Sequence, residues 1–166
     1  MRAPATLLVA MLAGAVLQLA WAYPQLPAIV ATHFDGAGRP NGWMRRDMLV
    51  VFQAGLIAVM LLSFVGLPRW LGRMPTSWYS LPHRDYWLAP ERRDETLADI
   101  QRQMMWLASA IIGMIIVITQ LVIQANLASE PVLPRATVWT LLAVFLVFTA
   151  VWTVRFILRF RRPSGD

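Results

Sequence analysis

The chain of 166 residues contains no cysteine and no lysine, and only 14% of its residues are charged. The absence of cysteine excludes disulfides, thiolate metal sites and cysteine nucleophiles together. The scarcity of charge excludes an ordinary soluble domain, in which about a quarter of residues carry charge. Several catalytic signatures are missing too. There is no glycine-rich phosphate loop, no H-E-x-x-H and no G-x-S-x-G, and serines are few. No Asp, Glu or His falls in the middle of a long apolar run, although ion-coupled transporters rely on such residues. The chain is therefore expected not to be an enzyme and to carry no cofactor and no metal.

Hydrophobic residues make up 58% of the sequence. Residues 3–34, 48–68, 103–129 and 136–154 are free of Asp, Glu and Arg. A bilayer core of about 30 Å takes roughly 20 apolar helical residues to cross. Four such runs in a chain this short predict an all-α polytopic membrane protein, a single membrane domain over 1–166. Four transmembrane helices are expected at about 4–22, 46–67, 104–125 and 137–158. Trp21, Trp43, Trp70, Trp106 and Trp139 fall near the expected ends, as an interfacial aromatic belt requires. The net charge of +6 does not point to nucleic acid, because the arginines gather at the ends of the apolar runs.

Those arginines give an orientation. Arg39, Arg45, Arg46 and Arg135 lie on one side. Arg2, Arg69, Arg73, Arg84, Arg92, Arg93, Arg102, Arg155, Arg159, Arg161 and Arg162 lie on the other. The excess predicts that both termini and the 68–103 loop and stalk are cytoplasmic and that the 23–45 loop is outside. A competing expectation is signal-peptidase cleavage after Ala20-Trp21-Ala22, against which stand a charged start of only Met1-Arg2 and the poor junction Tyr23-Pro24. The tail 163–166 is expected to be disordered.

The outside loop is the most elaborate polar segment. Pro24 and Pro27 stiffen the exit from the first span. In an extended segment His33 and Asp35 share a face, so they can bond to each other or, with help from Tyr23, Asp47 or Glu130, hold a metal. Gly36, Gly38 and Pro40-Asn41-Gly42 predict two consecutive turns. His33, Phe34, Asp35, Gly38, Pro40, Asn41, Gly42 and Trp43 are the candidate recognition residues. Beneath them, Gln18, Gln53, Gln120 and Gln124 lie within about 10 Å of the outer ends of their spans, at 1.5 Å per residue. They form either interhelical hydrogen bonds or a polar pocket lidded by the loop.

On the other side a helix is expected to start around Pro90, with Glu91, Asp94 and Glu95 at its positive end. Leu97, Ile100, Met104 and Leu107 give it one apolar face. It should continue without a break into the third span as a stalk of about three turns. Pairs such as Arg92 with Glu95 would solvate its charged face, and the apolar stripe could dock a partner. His83 is expected to be a surface or interfacial residue.

With these residues in place, a resemblance emerges. Tyr23-Pro24-x-Leu26-Pro27, Thr32-His33-Phe34-Asp35 and Gly38-x-Pro40-Asn41-Gly42-Trp43 resemble the motif of a bacterial membrane domain-of-unknown-function family. That family also forms the N-terminal part of the sporulation-delay toxin immunity proteins and occurs in many shorter proteins. The run from Asp85 to Arg93, with Tyr86, Trp87, Pro90, Glu91, Arg92 and Arg93, is similar to a second motif of the shorter members. The resemblance spans about 18–99. The sequence departs from the pattern at Ala31, where a proline is usual, at Asn41 for Asp, and at Arg45 and Arg46 for Lys. It also has four spans only, without the second membrane domain of the immunity proteins, so toxin immunity does not simply carry over. What the resemblance implies is a multi-pass protein of the bacterial inner membrane whose outside loop matters. The expected function is recognition of a partner or ligand through that loop, in an immunity-like or envelope-signalling role, by a protein that sits in the lipid bilayer with a protein partner or as a homo-oligomer. The alternatives are a structural subunit of a larger membrane complex, or a small transporter or metal-dependent membrane protein centred on His33 and Asp35.

Overall fold

The computed structural model describes residues 2–161; Met1, Arg162 and the tail 163–166 lie outside the described residues. Four helices are long and apolar enough to cross a membrane. Helix α1 (Arg2–Ala22) leads into a β-hairpin of β1 (Ile29–Phe34) and β2 (Pro40–Arg45). The second span begins as α2 (Arg46–Leu61), widens into a π-helical turn (Leu62–Gly66) and ends as α3 (Leu67–Leu71). After a 3-10 turn (Thr76–Trp78) come the one-turn helix α4 (Arg84–Trp87), the 35-residue α5 (Arg93–Leu127) and α6 (Arg135–Arg159).

The second span runs past its expected end at 67 because the π-turn accommodates Pro68. Proline lacks an N–H and its ring crowds the carbonyl four residues back, and a wider turn just before it relieves that clash. Within the π-turn the Leu67 N–H reaches the Leu62 carbonyl. The Arg69 guanidinium donates to the Val65 carbonyl at 3.0 Å. The stalk runs unbroken into the third span as expected. It starts at Arg93, however, because Ala89 accepts from both Arg92 and Arg93 and closes a separate turn at Pro90.

Helices α1, α2 and α5 form the packed body. Near the hairpin, Ala22, Leu26, Val30, Leu49 and Ile123 bury one apolar cluster, with Met44 against it. Deeper, Leu8, Ala108 and Ile112 form a second. Helix α1 thus contributes buried residues at both levels, which a mature chain cleaved after Ala22 would lack. Helix α6 has no buried residue. Trp21, Trp43, Trp70, Trp106 and Trp139 are all exposed, which suits side chains that sit at a membrane–water boundary.

Candidate functional site

The 23–45 loop is a hairpin rather than a string of turns. Ile29, Val30 and Ala31 face Arg45, Met44 and Trp43, and irregular pairing follows at His33–Gly42 and Phe34–Pro40. One turn closes it. The Asp35 carboxylate accepts from the backbone N–H of Ala37 (2.8 Å) and Arg39 (2.9 Å), while the Asp35 N–H donates to the Arg39 carbonyl. The second expected turn, at Pro40-Asn41-Gly42, is strand. Gly42 is needed there because a Cβ would come within 3.0 Å of the His33 Cβ. Asp35 therefore organises the turn. Among the described residues no bond joins it to His33, whose Nδ1 lies 3.4 Å from the Thr32 hydroxyl.

Three anchors hold the hairpin to the bundle. At its base, Asp47 accepts from the Tyr23 hydroxyl (2.7 Å) and from Arg45 (2.7 Å). Arg46 lies over the Tyr23 ring and donates to the Leu26 carbonyl (2.9 Å). Along β1, the Asn126 side chain behaves as a surrogate strand. Its Oδ1 accepts from the Ala31 N–H (2.7 Å), and its Nδ2 donates to the Ala31 carbonyl (2.8 Å) and to the Val122 carbonyl (2.9 Å). At the tip, the Leu133 N–H donates to the Gly38 carbonyl at 2.9 Å. Gly38 has φ +81°, and a Cβ there would collide with the Leu133 carbonyl oxygen. Asn126 and Leu133 had no place among the expected site residues. An asparagine at the end of a span that also carries Gln120 and Gln124 was the available signal for the first.

The four glutamines do not form one layer. Gln18 donates to Gln120 (2.9 Å) and to the Ile116 carbonyl (2.9 Å), joining α1 to α5. Gln124 is exposed. Gln53 faces elsewhere. Helix periodicity splits them: residues 116 and 120 lie on one stripe of α5, and 115, 118, 119 and 122 on another that faces α2. Gln53 is only 2% exposed, and neither its Oε1 nor its Nε2 has a hydrogen-bond partner. It lines a cavity of about 280 Å³ under the hairpin, roofed by Thr32, His33 and Met44 and walled by Leu49, Phe52, Leu56, Ile115, Ile118, Thr119 and Val122. Phe34 is half-buried, and Asn41 and Trp43 are exposed. Among the described residues no group of three or more His, Asp and Glu comes together to hold a metal.

At the opposite end the second motif builds a knot. Trp87 donates to the Phe160 carbonyl (3.2 Å), with the two rings edge to face at 5.5 Å. Arg92 covers the Tyr86 ring at 3.8 Å and donates to the Tyr86 carbonyl. Arg92 is thereby turned away from Glu95, with which it makes no ion pair among the described residues. Arg93 donates to the carbonyls of Gly72 and Met74. Pro90 and Glu91 are exposed. Asp99, buried, bridges Arg102 and Arg159 and so ties α5 to α6. The stripe Leu97, Ile100, Met104, Leu107 is half-buried within the chain. His83, exposed, opens α4 in a left-handed conformation, φ 52°.

Residues 10–59 match the model of a family described as a domain of unknown function (DUF1648). The matched segment takes in most of α1, the whole hairpin and most of α2. No curated protein and no solved structure matches the chain.

Proposed function

We infer that this chain is a membrane recognition protein that binds a partner or ligand in the cleft beneath its hairpin. The observation that carries the reading is Gln53: a fully buried amide with no hydrogen-bond partner among the described residues, at the wall of a mostly apolar cavity. Leaving such a group unsatisfied costs about 1–3 kcal/mol, a cost removed when an occupant offers both a donor and an acceptor. A peptide group on an apolar segment does so. Phe52 and Ile118 at the margin of the cleft are themselves exposed, which favours an occupant that arrives within the membrane. The family-model match takes in the hairpin together with its flanking helices, so the cleft's roof lies within the uncharacterised domain. In this reading the protein sits in the bacterial inner membrane with the hairpin outside, in an immunity-like or envelope-signalling role, and it is not an enzyme. A second reading, a structural subunit of a larger membrane complex, is favoured by α6, which buries no residue within the chain.

A photoreactive residue placed at Phe52 in the native host tests the first reading, and one placed at Val147 on α6 tests the second. The first predicts an adduct at position 52 that Gln53→Leu abolishes without lowering the melting temperature. If the adduct survives Gln53→Leu while stability rises, Gln53 is a packing residue and the recognition reading fails.

A further inference from the structure

We propose that the groove between α5 and α6, at the end of the bundle away from the hairpin, binds one anionic phospholipid. Helix α6 is tied to the rest of the chain mainly near its ends. Asp99 with Arg159 and Trp87 with Phe160 hold one end, and the Gly38–Leu133 bond holds the loop before the other. Beside the Asp99–Arg159 tie, a cavity of about 810 Å³ lies between the two helices. Trp106 on α5 and Phe148, Trp152 and Phe156 on α6 give it apolar walls, and Gln103, Arg155 and Arg159 give it polar ones.

On the α6 side of this groove two donors have no acceptor among the described residues. The Trp152 indole Nε1 is buried without a hydrogen-bond partner. Arg155 makes no hydrogen bond or ion pair among the described residues, whereas Arg159 is already held by Asp99. Trp152 and Arg155 are three residues apart, on one face of α6. Arg155 lies one helical turn inside the end of α6 at Arg159, about 6 Å along the axis. A guanidinium at that depth needs an anion or must reach for the headgroups. Among the described residues no carboxylate lines the groove.

A lipid phosphate supplies oxygen acceptors for both donors. The Trp152 and Phe156 rings, stacked at 5.1 Å, offer a flat wall for its acyl chains. The preference for an anionic lipid follows from the same residues. A zwitterionic headgroup would bring an ammonium into a groove beside which Asp99, the partner of Arg159, is already bonded to two arginines. A free phosphate would satisfy the donors and leave the apolar walls uncovered. The proposal is independent of the cleft under the hairpin.

The test is native mass spectrometry of the full chain, purified in mild detergent, stripped of lipid and offered phosphatidylglycerol, phosphatidylcholine or inorganic phosphate. One phosphatidylglycerol should be retained under conditions that remove phosphatidylcholine. Arg155→Gln should weaken that retention about fivefold, the order of one interfacial arginine. Trp152→Phe, which keeps the ring surface and deletes the N–H, should weaken it less. Arg161→Gln, outside the groove, should not change it. Equal retention of the two lipids, or retention unmoved by both groove variants, overturns the proposal. Inorganic phosphate bound as tightly as the lipid would make the groove a small-anion site and overturn it as well. If Arg155→Gln does not fold, Trp152→Phe alone decides.

Discussion

Asn126 shows how a single side chain can substitute for a strand. An isolated two-stranded hairpin is marginal in water, and β1 would expose an unpaired edge. The primary amide offers one acceptor and two donors, and it uses all three, two of them on Ala31. Asn126→Leu should cost about 1–3 kcal/mol, since it leaves the edge groups of the buried Ala31 without partners. Asn126→Asp should cost at least as much, because a carboxylate keeps the acceptor but sets negative charge against two carbonyls. Melting of the purified protein in detergent measures both; a change below about 0.5 kcal/mol, within the range of ordinary surface substitutions, would show that the clamp contributes nothing. At this scale the sequence was only partly legible. The polar residues near the hairpin were visible as a group, but their partners were not. Whether Gln18 meets Gln120 and Gln53 meets nothing depends on which stripe of α5 faces which neighbour, and apolar runs without a strong polar face do not announce that.

Among the elements, the helices were legible and the hairpin was not. Four charge-free runs fix the spans to within a few residues because the bilayer sets their length. The misplaced ends, at Pro68 and Pro90, both lie at prolines, where the local outcome depends on whether a wider turn or a separate one absorbs the ring. Gly and Pro at 36–42 predict two turns, since both residues favour turns. The strand pairing won at Pro40-Asn41-Gly42 because Gly42 leaves room for His33 across the ladder. The role of Asp35 follows from the same hairpin. It accepts two backbone N–H bonds and closes the turn, as aspartate does in such turns. Asp35→Asn retains the accepting oxygen and should cost only a few tenths of a kcal/mol, whereas Asp35→Ala should cost about 1 kcal/mol, as loss of a cap does. Limited proteolysis at Arg39 reports the opening of the turn. Equal damage from both variants would mean that the charge, and not the acceptor, matters, and would revive a ligand role for Asp35 alongside His33.

For the whole molecule, the hairpin and the 128–134 loop are joined by the Gly38–Leu133 bond and so share one end, while the Trp87 knot and the end of α6 share the other. Arg39, Arg45, Arg46 and Arg135 belong to the first end. Arg2, Arg69, Arg73, Arg84, Arg92, Arg93, Arg102, Arg155, Arg159 and Arg161 belong to the second. Excess arginine is retained on the cytoplasmic side during insertion, so the hairpin end should face outward. Because the chain has no cysteine of its own, single introduced thiols report this directly. Ala37 at the hairpin turn, Ser129 in the neighbouring loop and Ser77 at the opposite end are all exposed. In intact cells a membrane-impermeant maleimide should label Ala37→Cys and Ser129→Cys, and should reach Ser77→Cys only after permeabilisation. Labelling of Ser77→Cys alone in intact cells would invert the protein. The cleft beneath the hairpin would then face the cytoplasm, and its occupant would have to be sought there.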